Sequence, residues 1–316
     1  MKIIESALKA STYIAEIKAK GKKIGFVPTL GGLHKGHQLL MQKAREQNDV
    51  TVISIFLNPM QFRKKHFIEY PSDFEFDKVI AKKKRITLIF HPTIKEMFPF
   101  VRYLDDFFPF QNDEFKARDP ERFVIEPKVQ NSIDELIRVP NEMVYQLDGK
   151  LHPWFFDASA TIVHKLFKIL QPDHAYFGEK DIQQLAIITK MAETYFPAIK
   201  VIGIPTLRDA DGLAFSSRNV KLSDKQRQSA LKVYHALKYG ENLIRKGESE
   251  TRIVLTAMKK IIMAQHLLEI DYIDIVDKKS LKPVNQINNA VILYVAFFVN
   301  SIRLTDTLII NLMNEK

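Results

Sequence analysis

Cysteine is absent from all 316 residues. That excludes disulfides, thiolate metal sites and thiol nucleophiles, and no Ser-His-Asp pattern stands in for them. The apolar stretch at 290–299 is too short for a membrane helix, which needs about 20 residues. The glycine fingerprints of two large nucleotide-binding classes are also lacking. There is no G-x-G-x-x-G of a dinucleotide fold and no loop ending in G-K-[ST], so hydride transfer and P-loop phosphoryl transfer lose ground. No secretory signal is visible and, with zero cysteine, the expected location is the cytoplasm. No internal repeat or low-complexity segment stands out, and the length allows a sizeable core and two domains.

What is present begins with the run Thr29-Leu30-Gly31-Gly32-Leu33-His34-Lys35-Gly36-His37. Residues 24–27 read as a buried strand that Pro28 and the paired glycines break, and from Leu39 the apolar spacing approaches 3.6. A loop between a strand end and a helix start is a candidate phosphate site. Unpaired N–H groups and the positive end of the helix dipole point into it, and glycines let the backbone approach an anion. Two histidines three residues apart can face the same anion, where imidazole donors stabilise charge developing on phosphate oxygens. The same residues also fit a structural turn or a two-ligand metal fragment, although no third ligand of suitable spacing is evident.

Three further segments follow apolar strands. Asn58-Pro59-Met60-Gln61-Phe62 closes the run 50–56, and in an open parallel sheet the carboxyl ends of strands hold ligands. Gln61 offers both an amide donor and an acceptor to a small substrate bearing hydroxyl and carboxylate groups; the plain alternative is a solvated loop glutamine. Gly178-Glu179-Lys180-Asp181-Ile182-Gln183-Gln184 follows the strand 174–177. Here Gly178 permits a tight turn, Lys180 presents a cation to a triphosphate and Gln184, one turn on, can face substrate, or the charges merely open a solvated helix. Asp211 to Asn219 concentrates Ser216, Ser217 and Arg218 on a short loop. Such a loop can close on β- and γ-phosphates and stabilise departing pyrophosphate, or serve as a polar connection before a helix capped by Ser223.

In this order the four segments closely resemble the pantoate–β-alanine ligase family, and the likeness runs over most of the chain, through 271–277 and 303–306. The resemblance implies a member of the H-x-G-H nucleotidyltransferase group. It implies that ATP and pantoate form pantoyl adenylate and pyrophosphate, that β-alanine then displaces AMP, and that Mg²⁺ accompanies the ATP. Position by position, Leu30, Gly31, Gly32, Leu33, His34, Lys35, Gly36 and His37 match the ATP-binding loop. His37 matches the catalytic proton donor and His34 the other histidine of the phosphate site. Gln61 matches the contact to pantoate and β-alanine, and Gln184 a second pantoate contact. Gly178, Glu179, Lys180 and Asp181, with Leu207, Phe215, Ser216, Ser217 and Arg218, match the remaining nucleotide-binding positions, and Lys180 is taken with the histidines as catalytic. The family is typically dimeric, so a homodimer is expected.

The residue types suit that reaction. Attack of a carboxylate on the α-phosphate brings two anions together, and Lys180, Arg218, the histidines and helix N-termini can supply the opposing charge and donors. Amide formation mainly requires that a neutral amine be held beside the adenylate, so no protein nucleophile is needed.

Departures from the family pattern are informative as well. Leu30, Gly32 and Lys35 replace a methionine, a different small or polar residue and an acidic one. His152-Pro153-Trp154-Phe155-Phe156 stands where the family has Arg-Pro-x-His-Phe, and Tyr70-Pro71-Ser72 lacks the arginine of Tyr-Pro-Arg. Glu75 and Asp77 lie where the family has acidic residues, but the local match is loose and metal ligands stay open. Residues 98–150 are longer than the family's segment and read as an excursion, with a lid, a dimer contact and a passive loop all open.

A net charge of +10 and a pI near 9.4 admit a rival, nucleic-acid binding, through Arg63-Lys64-Lys65-His66 and Lys82-Lys83-Lys84-Arg85. The second patch also fits a helix end, where cations complement the dipole, and neither patch carries interleaved aromatics. A positive field equally serves anionic small substrates, so neither nucleic acid nor membrane is the expected partner. A related nucleotidyltransferase with another acceptor is the nearer alternative; Gln61, Gln184 and the Ser-Ser-Arg-Asn loop favour the ligase. The expected fold is α/β. Strands near 24–27, 50–56, 87–90, 174–177 and Lys200–Ile204 alternate with helices in a Rossmann-like parallel sheet, giving an ATP- and pantoate-binding domain over 1–206. Ser223 caps a helix through 239, and a helix near 251–265 with strands at 272–276 and 290–298 forms a smaller α+β domain over 207–316. That domain is expected to act as a lid, with the Ser-Ser-Arg loop at the hinge.

Overall fold

The computed structural model describes residues 1–99 and 136–312. Six strands form one sheet: β1 (Lys2–Ile4), β2 (Ile24–Thr29), β3 (Val50–Ile55), β4 (Leu88–Phe90), β5 (His174–Gly178) and β6 (Lys200–Ile204). Their order is β1-β4-β3-β2-β5-β6 and every neighbouring pair is parallel. The helices along this part of the chain are α1 (Ala7–Ala19), α2 (Lys35–Gln47), α3 (Lys64–Ile68), α4 (Phe74–Lys83), α5 (Ile94–Met97), α6 (Asn141–Val144), α7 (Pro153–Leu170) and α8 (Ile182–Tyr195). The expected Rossmann-like architecture is therefore the one adopted.

Strand periodicity explains the layering. Phe26 and Val27 are neighbours on β2 and point to opposite faces. Phe26 meets Phe167 of α7 edge to face, with ring centroids 6.3 Å apart. Val27 packs with Met41 and Ala44 of α2 and with Ile80 and Ala81 of α4. All six residues of β3 are buried, as a strand covered on both faces requires.

One sequence expectation is corrected here. Pro28 does not break β2, which continues to Thr29 with Pro28 opposite Ser54 of β3. The reason is that β2 pairs with β5 only at Gly25 and Phe26. Beyond that point one side of β2 has no strand partner, so the missing proline N–H removes no ladder bond.

By its contacts the chain divides into two compact units. The first comprises Met1–Val144, Gly149–Gly178 and Gln184–Ile204, and the second Tyr145–Asp148, Glu179–Gln183 and Pro205–Lys316. The second unit carries α9 (Asp224–Arg245), α10 (Thr251–Met263) and an antiparallel sheet of β7 (Leu268–Asp277), β8 (Val291–Val299) and β9 (Ile302–Ile310) in the order β7-β8-β9. Val233, Leu237 and Ile244 of α9 and Val254, Met258 and Ile262 of α10 share one core with Leu293, Val295 and Phe297 of β8. Ser223 caps α9 as expected, in a capping box with Gln226. The helix runs past 239 to Arg245 because its apolar face continues to Ile244.

Most of the excursion expected at 98–150, namely 100–135, lies outside the described residues. Among the described residues no helix is long and apolar enough to cross a membrane. In the parallel sheet, β2 stands where the strand order reverses, with β3 on one side and β5 on the other. The carboxyl edge at such a switch point is where open α/β sheets bind ligands, and the histidine loop leaves β2 there.

Candidate active site

Gly31 and Gly32 occupy left-handed backbone conformations, with φ of +92° and +64°. A Cβ on Gly32 would stand 2.8 Å from the Pro71 carbonyl oxygen, so glycine is required both by conformation and by close approach. The loop is held from below by a residue whose role was not legible in the sequence. Asp77 of α4 is fully buried, and its carboxylate accepts from the N–H groups of Gly32 at 2.9 Å and Leu33 at 2.7 Å. Burial raises its pKa, opposed by those two hydrogen bonds. The Tyr70 hydroxyl donates to the Gly31 carbonyl.

His34 caps α2, and the two histidines close a reciprocal capping box. His34 Nδ1 accepts from Gly36 N–H at 3.1 Å, and His37 Nδ1 accepts from His34 N–H at 3.3 Å. A nitrogen that accepts carries no proton, so in both rings the proton resides on Nε2. The rings are tilted by 31° with centroids 4.0 Å apart. Burial, reinforced by neighbouring His34, lowers the His37 pKa to about 3. At neutral pH His37 is therefore a neutral imidazole whose donor is Nε2–H.

Five of the loop amides correct a second expectation, since they are paired within the protein and do not point free at an anion. Gly31 N–H donates to the Thr29 hydroxyl, Gly32 and Leu33 to Asp77, His34 to His37 and Gly36 to His34. What the histidine pair can offer an anion is therefore imidazole Nε2–H rather than backbone N–H. Leu33 is buried in the core between sheet and helices, so its side chain serves packing. Leu30 is half-buried and Lys35 is exposed.

The second segment is built on a buried asparagine. Asn58 is fully buried and Gln61 nearly so, at 7% exposed. Asn58 Oδ1 accepts from Met60 N–H, while its Nδ2 donates to the Ala158 carbonyl and to Gln61 Oε1 at 3.1 Å. Gln184, near the start of α8, donates from Nε2 to the Ser159 hydroxyl at 2.6 Å. Gly178 ends β5 without a positive φ, and apart from its two chain neighbours no described residue comes within 4 Å of where its Cβ would stand. The turn does not need glycine there; the space it leaves is open.

The second unit gathers other expected residues. Glu179–Asp181 form a 3₁₀ turn. Lys180 Nζ lies 3.3 Å from Thr305 Oγ1 and 3.8 Å from Asp181 Oδ1. Lys180, Ser216, Asn219 and Thr305 line one pocket with Leu213 and Phe297. The Ser-Ser-Arg segment is not a loose loop: Ser217–Lys221 form a 3₁₀ turn capped by Ser216, whose hydroxyl accepts from Arg218 N–H. The Arg218 guanidinium donates to the Arg303 carbonyl at 3.0 Å. Phe215 N–H donates to the Leu207 carbonyl, which brings those two positions together. Arg208 is bound to Asp306 by a bidentate pair of 2.7 and 2.8 Å and lies over the Tyr234 ring at 4.0 Å. Burial raises the pKa of Glu179, eased by Lys278. Thr305 and Asn219 also line the pocket; the sequence places both in segments that match the family but gives neither a site role, because only the strand pairing of β9 and the capped turn bring them to Lys180.

Fold and edge geometry together place the chain in the parallel α/β class, with a ligand edge at the switch point of the sheet. The family model described as pantoate-beta-alanine ligase matches residues 2–309. The chain is 39% identical to the pantothenate synthetase of Thermotoga petrophila over 98% of this chain and 100% of that one. It is 37% identical to that of Caldicellulosiruptor saccharolyticus, covering 98% and 99%. The crystal structure of pantothenate synthetase from Thermus thermophilus is similar with a TM-score of 0.81 and 31% identity over 98% and 99% of the two chains. A pantoate-beta-alanine ligase from Francisella tularensis, complexed with beta-gamma ATP and beta-alanine, has a TM-score of 0.71 at 27% identity over 98% and 97%. The chain belongs to the pantoate–β-alanine ligase family.

Proposed function

We propose that the chain condenses pantoate with β-alanine in two steps on ATP, forming pantoyl adenylate and pyrophosphate and then pantothenate and AMP. The observation that carries this reading is the histidine pair. Both Nδ1 atoms accept from the backbone, which fixes each ring as an Nε2–H donor suited to anionic oxygens. Charge that grows on phosphate oxygens as the carboxylate attacks is stabilised by such fixed donors more than the ground state is, which is what accelerates the step. His37 acts first as a neutral hydrogen-bond donor. A role as proton donor requires the bound anion to raise its pKa from about 3.

Lys180 and Arg218 supply cationic charge for the polyphosphate, and Ser216 and Ser217 supply hydroxyl donors. Gln61 and Gln184 orient the acid substrate and the amine. The 207–316 region serves as the lid and 1–206 as the ATP- and pantoate-binding domain. Mg²⁺ enters with ATP, held by phosphate oxygens. Among the described residues no group of three or more His, Asp or Glu side chains is arranged to hold an ion, and Asp77 is committed to the loop amides. A cytoplasmic homodimer with no nucleic-acid partner is proposed on the family resemblance; light scattering tests the dimer.

The deciding experiment is pantoate-dependent pyrophosphate release from ATP, with AMP and amide product followed separately. Pyrophosphate with pantothenate formed only on addition of β-alanine is the expected result. ATP binding without pantoate-dependent turnover overturns the assignment of the acceptor.

A further inference from the structure

The two glutamines assigned to substrate hang from consecutive residues of one helix. Met60 N–H donates to Asn58 Oδ1 and the Ala158 carbonyl accepts from Asn58 Nδ2. These backbone groups cannot exchange roles, so they lock the orientation of the Asn58 amide. The locked amide then donates to Gln61 Oε1, which leaves Gln61 Nε2 as the group still free to act, a donor. The next residue of α7, Ser159, is 1% exposed and accepts from Gln184 Nε2 at 2.6 Å. Gln184 is only partly buried, and its remaining polar atom is Oε1, an acceptor.

Two other polar residues of α7 have partners of their own. Asp157 accepts from Val139 N–H and Arg138, and Thr161 accepts from Ile137 N–H. These two residues, one turn apart, hold the chain at 137–139. Ser159 is not needed for that strap. A hydroxyl in a helix this buried is unfavourable unless paired, and its partner is Gln184.

We propose that Ser159 is a positioning residue for the acid substrate: its buried hydroxyl holds the Gln184 side chain at 2.6 Å, so that the Gln184 amide meets a substrate hydroxyl at a fixed place while Gln61 presents its donor. The inference rests on the substrate reading above for Gln61 and Gln184 and adds the residue that holds Gln184 in place. An acid of the same skeleton lacking that hydroxyl leaves the Gln184 amide without its partner, and sites built to bind a hydroxyl discriminate strongly against such analogues.

The test compares kcat/KM for pyrophosphate release with pantoate and with its analogues lacking the 2-hydroxyl or the 4-hydroxyl, in the wild type and in Ser159→Ala, Ser159→Cys and Ser159→Thr. Wild type favours pantoate. In Ser159→Ala and in Ser159→Cys, which conserves volume but accepts poorly, the preference falls by about tenfold, KM for pantoate rises and KM for ATP is unchanged; Ser159→Thr restores the preference. A preference unchanged in Ser159→Cys, in protein that melts like wild type, overturns the inference. Absence of pantoate turnover in the wild type itself overturns the functional reading and this inference with it, and is recognisable before any substitution is made.

Discussion

Replacing Asp77 with alanine strands two amides. Gly32 and Leu33 lose their acceptor, and the space around the carboxylate is closed to water because Asp77 is fully buried. Each donor left without a partner costs about 1–3 kcal/mol. Relief from burying a carboxylate, visible in its raised pKa, offsets part of this, so the net destabilisation is about 2–4 kcal/mol. For a chain of this size that is roughly a 3–6 °C fall in Tm. Asp77→Asn keeps one acceptor oxygen and turns an NH₂ toward the second donor, so its loss is about half as large. The pH dependence has a definite sign. A carboxyl whose folded pKa is raised contributes most stability below its unfolded pKa and loses that contribution as pH rises through the folded value. The deficit of Asp77→Asn relative to wild type therefore shrinks as pH rises. Because the same two amides fix the approach to His34, the KM for ATP in pyrophosphate release rises in both variants, more in Asp77→Ala. Thermal unfolding at several pH values together with ATP titrations checks all three points. An Asp77→Ala protein that melts within about a degree of wild type with an unchanged ATP response refutes the reasoning.

Three other outcomes follow from the same geometry. His37 has a folded pKa depressed to about 3 from 6.5, so the unfolded chain takes up the proton first and wild-type stability falls as pH drops from about 6.5 toward 3; His37→Gln lacks this slope, which urea unfolding at pH 7.5 and pH 5 detects. Lys180→Ala reduces the rate of pyrophosphate release by about 10²–10³, the scale for losing one charge-stabilising group, while Tm stays near wild type because Lys180 has only weak hydroxyl and carboxylate neighbours; rapid-quench adenylation measures it. Arg208→Ala leaves Asp306 buried without its bidentate partner and destabilises by about 3–5 kcal/mol, whereas Arg208→Ala combined with Asp306→Ala loses less than the sum, as a double-mutant cycle in denaturant shows.

The residues whose role depends on neighbours along the chain were readable in one dimension. The fully buried β3, the Ser223–Gln226 capping box and the strand-loop-helix placement of His34 and His37 all follow from local spacing and propensity. The ordered motifs were legible for the same reason, since each lies within one loop. Pro28 was misread because its tolerance depends on how far β5 runs alongside β2. The edge strand Lys2–Ile4 carries only three residues, mostly exposed, and is a strand only through its register with Leu88–Phe90.

The sequence by itself determined the fold class, the family resemblance and the residue types at the site, because strand and helix periods, glycine turns and charge are properties of short segments. Only the tertiary structure decided what those residues are free to do. Asp77, 45 residues from Gly32, takes up two of the loop amides, Asn58 sets which atom of Gln61 remains, Ser159 holds Gln184 in place, and His34 and His37 commit their Nδ1 atoms to the backbone. The physical reason is that a hydrogen-bonding group has few valences, and which of them are already spent depends on partners that come from distant parts of the chain.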